Sequence, residues 1–229
     1  MRKRRRGGVA VWLVTGLVVL AVVGTRAGAE GEGGKFSAAD VVSAGNIAYP
    51  MNAAQGGLVA LLVRLDESGN AKDWHVSEDV APLTGATLEG VKKWTFHSAM
   101  MGGKNVAAYL PVYAVFNPYN PGGTSVTGGG PRVPATVPSN LGRWMPPQVR
   151  MASYAFYPPN SQAQGTVVLS VEVGKSGHAV NIKVVHGVQG LNDAAIEAVK
   201  QWGFQPAMRD GETAEGRLCV AFVFQRNLS

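Results

Sequence analysis

From Thr166 to Val173 apolar and polar side chains alternate, with Val167, Leu169, Val171 and Val173 on one side and Thr166, Ser170 and Glu172 on the other. A period of two with one apolar face predicts a strand buried on one side. Lys175-Ser176-Gly177-His178 breaks the pattern as a turn, its glycine supplying the positive φ that hairpins use. Ala179 to Val185 is the expected returning strand. The period then becomes helical: Ala195, Ile196, Val199 and Trp202 form a buried stripe, with Asn192 as the expected cap and Asp193 well placed in the first turn. Pro206 stops that helix, Asp210-Gly211 opens another turn, and Leu218 to Phe224 is the last strand.

The same pattern occurs twice. Sliding the chain along itself by 108 positions sets Tyr49-Pro50 on Tyr157-Pro158, and Val59, Leu61 and Val63 on Val167, Leu169 and Val171. Ser68-Gly69 falls on Ser176-Gly177, Trp94 and Phe96 on Trp202 and Phe204, and Val115-Phe116 on Val223-Phe224, with no gap between Tyr49 and Phe116. A repeat this regular implies two copies of one supersecondary unit. The fold class expected is α+β: two small three-stranded antiparallel sheets, each with a helix packed on one face. The copies occupy 41–116 and 146–226, and a Pro/Gly-rich linker, 117–145, joins them. If strand three sits beside strand one, in the order 2-1-3, each sheet stays antiparallel and strand three is left at an edge. The aromatics Trp94, Phe96, Trp202 and Phe204 are expected to pin helix to sheet, each contributing about 1.5–3 kcal/mol on burial.

Composition adds a compartment. The chain has 229 residues, 46% hydrophobic and 16% charged, with a formal charge of +6. Arg2, Lys3, Arg4, Arg5, Arg6 and Arg26 account for that excess, and the remaining bases and acids balance. A neutral body lacks the footprint of a nucleic-acid binder. The basic start, the uncharged run from Gly7 to Thr25 and Ala27-Gly28-Ala29 make residues 1–29 either a cleaved signal peptide or an uncleaved anchor through 8–25. Either keeps the basic end cytoplasmic and exports the rest, free after cleavage or held at the membrane. The single Cys219 excludes an internal disulfide and multi-cysteine zinc patterns.

No catalytic constellation emerges, and neither cofactor nor metal is implied. His75, His97, His178 and His186 have no histidine counterpart in the other copy. Glu89 and Glu197 each precede a shared lysine by three residues, a surface helix pair. The reading is a non-enzyme.

Leu191-x-x-Ala194-Ala195-x-x-Ala198-Val199-x-x-Trp202-x-Phe204-x-Pro206-Ala207, preceded by Tyr157-Pro158, the Gly165 to Val173 strand and Ser176-Gly177, resembles the TonB C-terminal domain. The first copy is similar, with Gly90 and Ser98 where the second has Ala198 and Pro206. The resemblance implies a periplasmic module that binds an extended segment of an outer-membrane transporter by adding it to a sheet edge, relaying energy from the inner membrane. The edge expected to receive it is Leu218, Cys219, Val220, Ala221, Phe222, Val223 and Phe224, or its counterpart from Tyr109 to Phe116. Three features depart from an energy transducer: no histidine lies between Met1 and Thr25, only a short stretch precedes the first copy, and the domain is doubled. The alternative is a soluble adaptor or structural protein whose copies pair, or dimerise, through the same edges.

Overall fold

The computed structural model describes residues 35–53, 56–117, 131, 144–159 and 161–225, all within one compact unit, Gly33–Ser229. The first copy contains β1 (Phe36–Ser37), β2 (Asp40–Ser43), β3 (Gly57–Leu65), β4 (Ala71–Glu78), α1 (Leu83–Val91), β5 (Thr95–His97), β6 (Ala99–Met101), β7 (Lys104–Val106) and β8 (Ala108–Phe116). The second contains β9 (Trp144–Met145), β10 (Gln148–Met151), β11 (Gly165–Val173), β12 (Ala179–His186), α2 (Asn192–Lys200), β13 (Gly203–Gln205), β14 (Ala207–Arg209), β15 (Glu212–Ala214) and β16 (Gly216–Phe224). Each strand of the first copy reappears at the same offset in the second. The repeat therefore reaches back to Phe36 and Trp144, further than side-chain identity alone reveals.

Within each copy the order is strand two, strand one, strand three, as the sequence predicts. The copies are not independent, however. They merge into one six-stranded sheet, β12-β11-β16-β8-β3-β4. All its neighbours are antiparallel except the central pair, where β16 runs parallel to β8 from Cys219↔Val112 to Val223↔Phe116.

That register determines where the helices go. The internal match sets Val220 on Val112, yet Val112 pairs with Cys219. Because side chains alternate across a sheet, equivalent residues of the two copies face opposite sides. Leu83 and Val91 of α1 pack with Val59, Leu61, Val63 and Val112 on one face. Ala195 and Val199 of α2 pack with Val167, Leu169, Val171 and Val220 on the other.

The helices depart from expectation in detail. Asn192 does not cap α2; its Oδ1 accepts from the Val188 N–H at 2.9 Å, tying down the loop before the helix. The helix ends at Lys200, so Trp202 follows it instead of belonging to its last turn, and Pro206 separates β13 from β14. The hairpin tips fit the prediction. Gly69 and Gly177 have φ of 83° and 76°, and a Cβ there would meet the Phe96 and Phe204 carbonyl oxygens at 2.4 and 2.5 Å. Only glycine allows each tip to rest on the strand that follows the helix.

Candidate functional site

The strand expected at an edge is central. Leu218 to Phe224 pairs with β11 on one side and β8 on the other, and none of its residues is more than 2% exposed. Tyr109 to Phe116 likewise pairs with β3 throughout and, from Val112 on, with β16. The third-strand edges are thus not free, which corrects the expectation that they stand open to a visitor. Pro111 marks where the junction begins: the parallel ladder starts one residue later, at Val112, and proline has no N–H to donate to it.

The junction is also covered on both faces, because the segment leading into each copy crosses onto the other. Residues 40–43 pair with β5 of their own copy, and 40–47 reach over onto the second. The Ser170 hydroxyl donates to Asp40 Oδ1 at 2.6 Å, and Arg217 Nη1 stands 3.4 Å from Asp40 Oδ2 and its Nη2 3.5 Å from Glu172 Oε2. The Thr166 hydroxyl accepts from the Ile47 N–H at 2.8 Å, and the Thr166 N–H donates to Asn46 Oδ1 at 3.0 Å. Reciprocally, residues 148–151 pair with β13 of their own copy, and 149–155 reach onto the first. The Val149 N–H donates to the Tyr113 hydroxyl oxygen at 3.2 Å, and Asn117 Nδ2 donates to the Ala155 carbonyl at 3.0 Å. Thr166 and Ser170, expected on a solvated face, are buried by this crossing.

Burial shapes the chemistry here. It pushes the Cys219 thiol well above its usual range, and the neighbouring Asp40 carboxylate adds to the effect. It raises the Tyr113 phenol to about 12, although the Val149 N–H and Arg150 pull the other way. Cys219 is therefore a protonated, inert core group.

Trp94, Phe96, Trp202 and Phe204 are all buried. Trp202 Nε1 donates to the Ser153 carbonyl at 3.1 Å, whereas Trp94 Nε1 finds no partner among the described residues. Lys200 pairs with Glu197 at 2.7 Å on the helix surface, while Lys92 lies over the Trp74 ring instead. His75, His97 and His178 are exposed and His186 half-buried. Among the described residues no group of three or more His, Cys, Asp and Glu side chains is arranged to hold a metal.

Among the described residues the ends of the sheet are β4 and β12. Each is bulged twice against its neighbour, leaving a regular stretch of four residues: Asp73–Val76 on β4 and Asn181–Val184 on β12. Bulges limit indiscriminate edge pairing, and a short regular stretch retains open backbone groups.

Residues 1–29 lie outside the described residues, as does nearly all of the linker. Among the described residues no helix is long and apolar enough to cross a membrane.

The model of the Gram-negative bacterial TonB protein C-terminal family matches 45–118 and 154–225. Protein tonB2 of Pseudomonas aeruginosa is 39% identical over 66 residues, 28% of this chain and 24% of that protein. Protein TonB of Xanthomonas campestris pv. campestris, in two strains, is 33% identical over 76 residues, 31% of this chain and 34% of that protein. The chain thus spans about a quarter to a third of the length of these relatives. No solved structure matches it significantly. Two family-model matches, on the two halves of a single continuous sheet, place this chain in the TonB C-terminal domain family.

Proposed function

We propose that the chain is an exported, periplasmic TonB-type module that captures an extended segment of a partner protein by strand addition at an outer edge of its six-stranded sheet. The partner that the family suggests is an outer-membrane transporter, and the output is energy coupling if residues 8–25 remain in the inner membrane. The observation that carries the reading is the sheet order: β12 and β4 end it, while β8 and β16 occupy each other. Strand addition draws affinity from backbone hydrogen bonds and selectivity from alternate side chains. Hydrogen exchange on the full chain with an extended partner peptide tests it. Slowed amides in Asn181–Val184 or Asp73–Val76 are the expected result, with β8 and β16 protected before and after. Peptide-dependent change confined to β8 and β16 would overturn it.

One observation favours a second reading, a soluble adaptor or structural protein without a coupling role. The parallel β8–β16 pair joins the two copies through the strands expected to bind, as two chains of a dimer would be joined. N-terminal sequencing of the exported protein separates the two: a product beginning near Glu30 supports the adaptor, and an intact N-terminus the transducer.

A further inference from the structure

We infer that β12, not β4, is the receiving edge, and that the segment it takes alternates apolar with acidic residues. The inference rests on the strand-addition reading above and asks what each edge offers. Along the regular stretch of β12, Ile182 and Val184 stand opposite Val171 and Leu169 and pack half-buried against the core beneath α2. Asn181 and Lys183 stand on the other face, exposed. An added strand would set every second side chain beside Ile182 and Val184, where apolar groups gain by burial. The intervening side chains would lie beside Lys183, where a carboxylate gains and a cation loses.

The equivalent stretch of β4 offers the opposite sign. Asp73 and His75 occupy the places of Asn181 and Lys183, and Glu67 and Asp79 flank the same hairpin, in which Asp66 is paired with Lys72. From Gly174 to Gly187, by contrast, there is no acid, and Glu172, opposite Asn181 on β11, is paired with Arg217. Asp73 stands opposite Arg64 on β3, which tempers the local field but leaves an edge that disfavours an acidic visitor. The helix-side positions of β4 are Trp74, under the Lys92 ammonium, and Val76, a bulkier and more polar wall than Ile182 and Val184. The two edges of one sheet therefore select against each other's ligands.

The test uses the full chain and two labelled decapeptides, one alternating Val with Glu and the other Val with Lys. The Glu peptide should slow exchange at Asn181–Val184 and leave Asp73–Val76 unchanged. Lys183→Glu should weaken it about fivefold or more, as a reversed cross-strand charge pair does, and should strengthen the Lys peptide in return. Because Lys183 is exposed, this variant leaves the fold intact. Equal affinity for the two peptides, or protection of β4 by the Glu peptide, would overturn the inference and leave strand addition standing. Failure of every peptide to protect either outer edge would overturn both. A concentration-dependent rise in mass of the chain alone, with β12 protected, would also overturn it, by giving the edge to a second copy.

Discussion

Phe36 and Trp144, the same position in the two copies, stack on each other with ring centroids 4.2 Å apart and planes inclined at 45°. Each sits on the short first strand of its copy, β1 beside β6 and β9 beside β14. β7 runs into β8 across Ala107, and β15 into β16 across Glu215, so these small sheets gather where the parallel pair begins. The stack links the two small sheets, and the Arg209 guanidinium lies 6.0 Å over the Phe36 ring. In a double-mutant cycle, Phe36→Ala and Trp144→Ala should couple by about 0.5–1.5 kcal/mol, the usual excess for an aromatic pair. Urea unfolding of the four proteins measures it, and strict additivity would show that the stack holds nothing together.

Much of this architecture is legible in residue patterns. Alternation from Val167 to Val173, the Ser-Gly hairpin tips and the helical stripe, whose pattern runs two residues past the end of α2 to Trp202, each mark a local element, and their recurrence marks the duplication. The same pattern carried a signal for the central junction. Leu218 to Phe224 contains no charged or hydrogen-bonding side chain apart from the thiol, and neither does Leu110 to Phe116 apart from the Tyr113 hydroxyl. Such runs belong to strands buried on both faces, whereas a half-exposed edge would alternate. The crossing segments left no comparable trace. Ser170 meets Asp40 across 130 positions and Thr166 meets Ile47 across 119, and nothing local in Asp40 to Ile47 specifies those partners.

The crossing of residues 40–47 should behave as a clasp over Cys219. Asp40 is held by Ser170 and Arg217, and its removal leaves both without that partner. Asp40→Ala should lower stability by about 1–3 kcal/mol, the range for a part-buried charged hydrogen bond. It should also make Cys219, 1% exposed, react with a thiol reagent at a measurable rate under native conditions. Wild-type thiol should react only as the protein unfolds. Equal native reactivity in the two proteins would mean that β2 does not cover the junction.

The two helix-flanking tryptophans should respond unequally to replacement by phenylalanine. Trp202→Phe abandons the Ser153 carbonyl, whereas Trp94→Phe removes an N–H that has no partner among the described residues. Both lose similar buried area, so the difference isolates the hydrogen bond. Trp202→Phe should cost about 1–2 kcal/mol more than Trp94→Phe in chemical denaturation. A reversed order would place the second copy's helix anchoring elsewhere.

Asp66, at the first hairpin, gives the chain an acid-sensitive element that its counterpart Gly174 cannot supply. Its carboxylate accepts from the Asn70 N–H at 2.8 Å and the Ser68 N–H at 2.9 Å, and Lys72 Nζ stands 3.1 Å away. Donation by the Asn70 backbone leads, with the Asn70 and Lys72 side chains and the Ser68 backbone assisting, and the pKa falls from 3.8 to about 2. A carboxylate depressed in the folded state stabilises it above the unfolded pKa, and that stabilisation is lost as pH drops through the folded pKa. The window is therefore from about pH 4 down to about pH 2. Asp66→Asn should lower the melting temperature at pH 7, and the gap from wild type should narrow progressively across that window as the wild-type carboxyl takes up its proton. A gap that stayed constant from pH 7 to pH 2 would show that shape, not charge, sets the contribution of this turn.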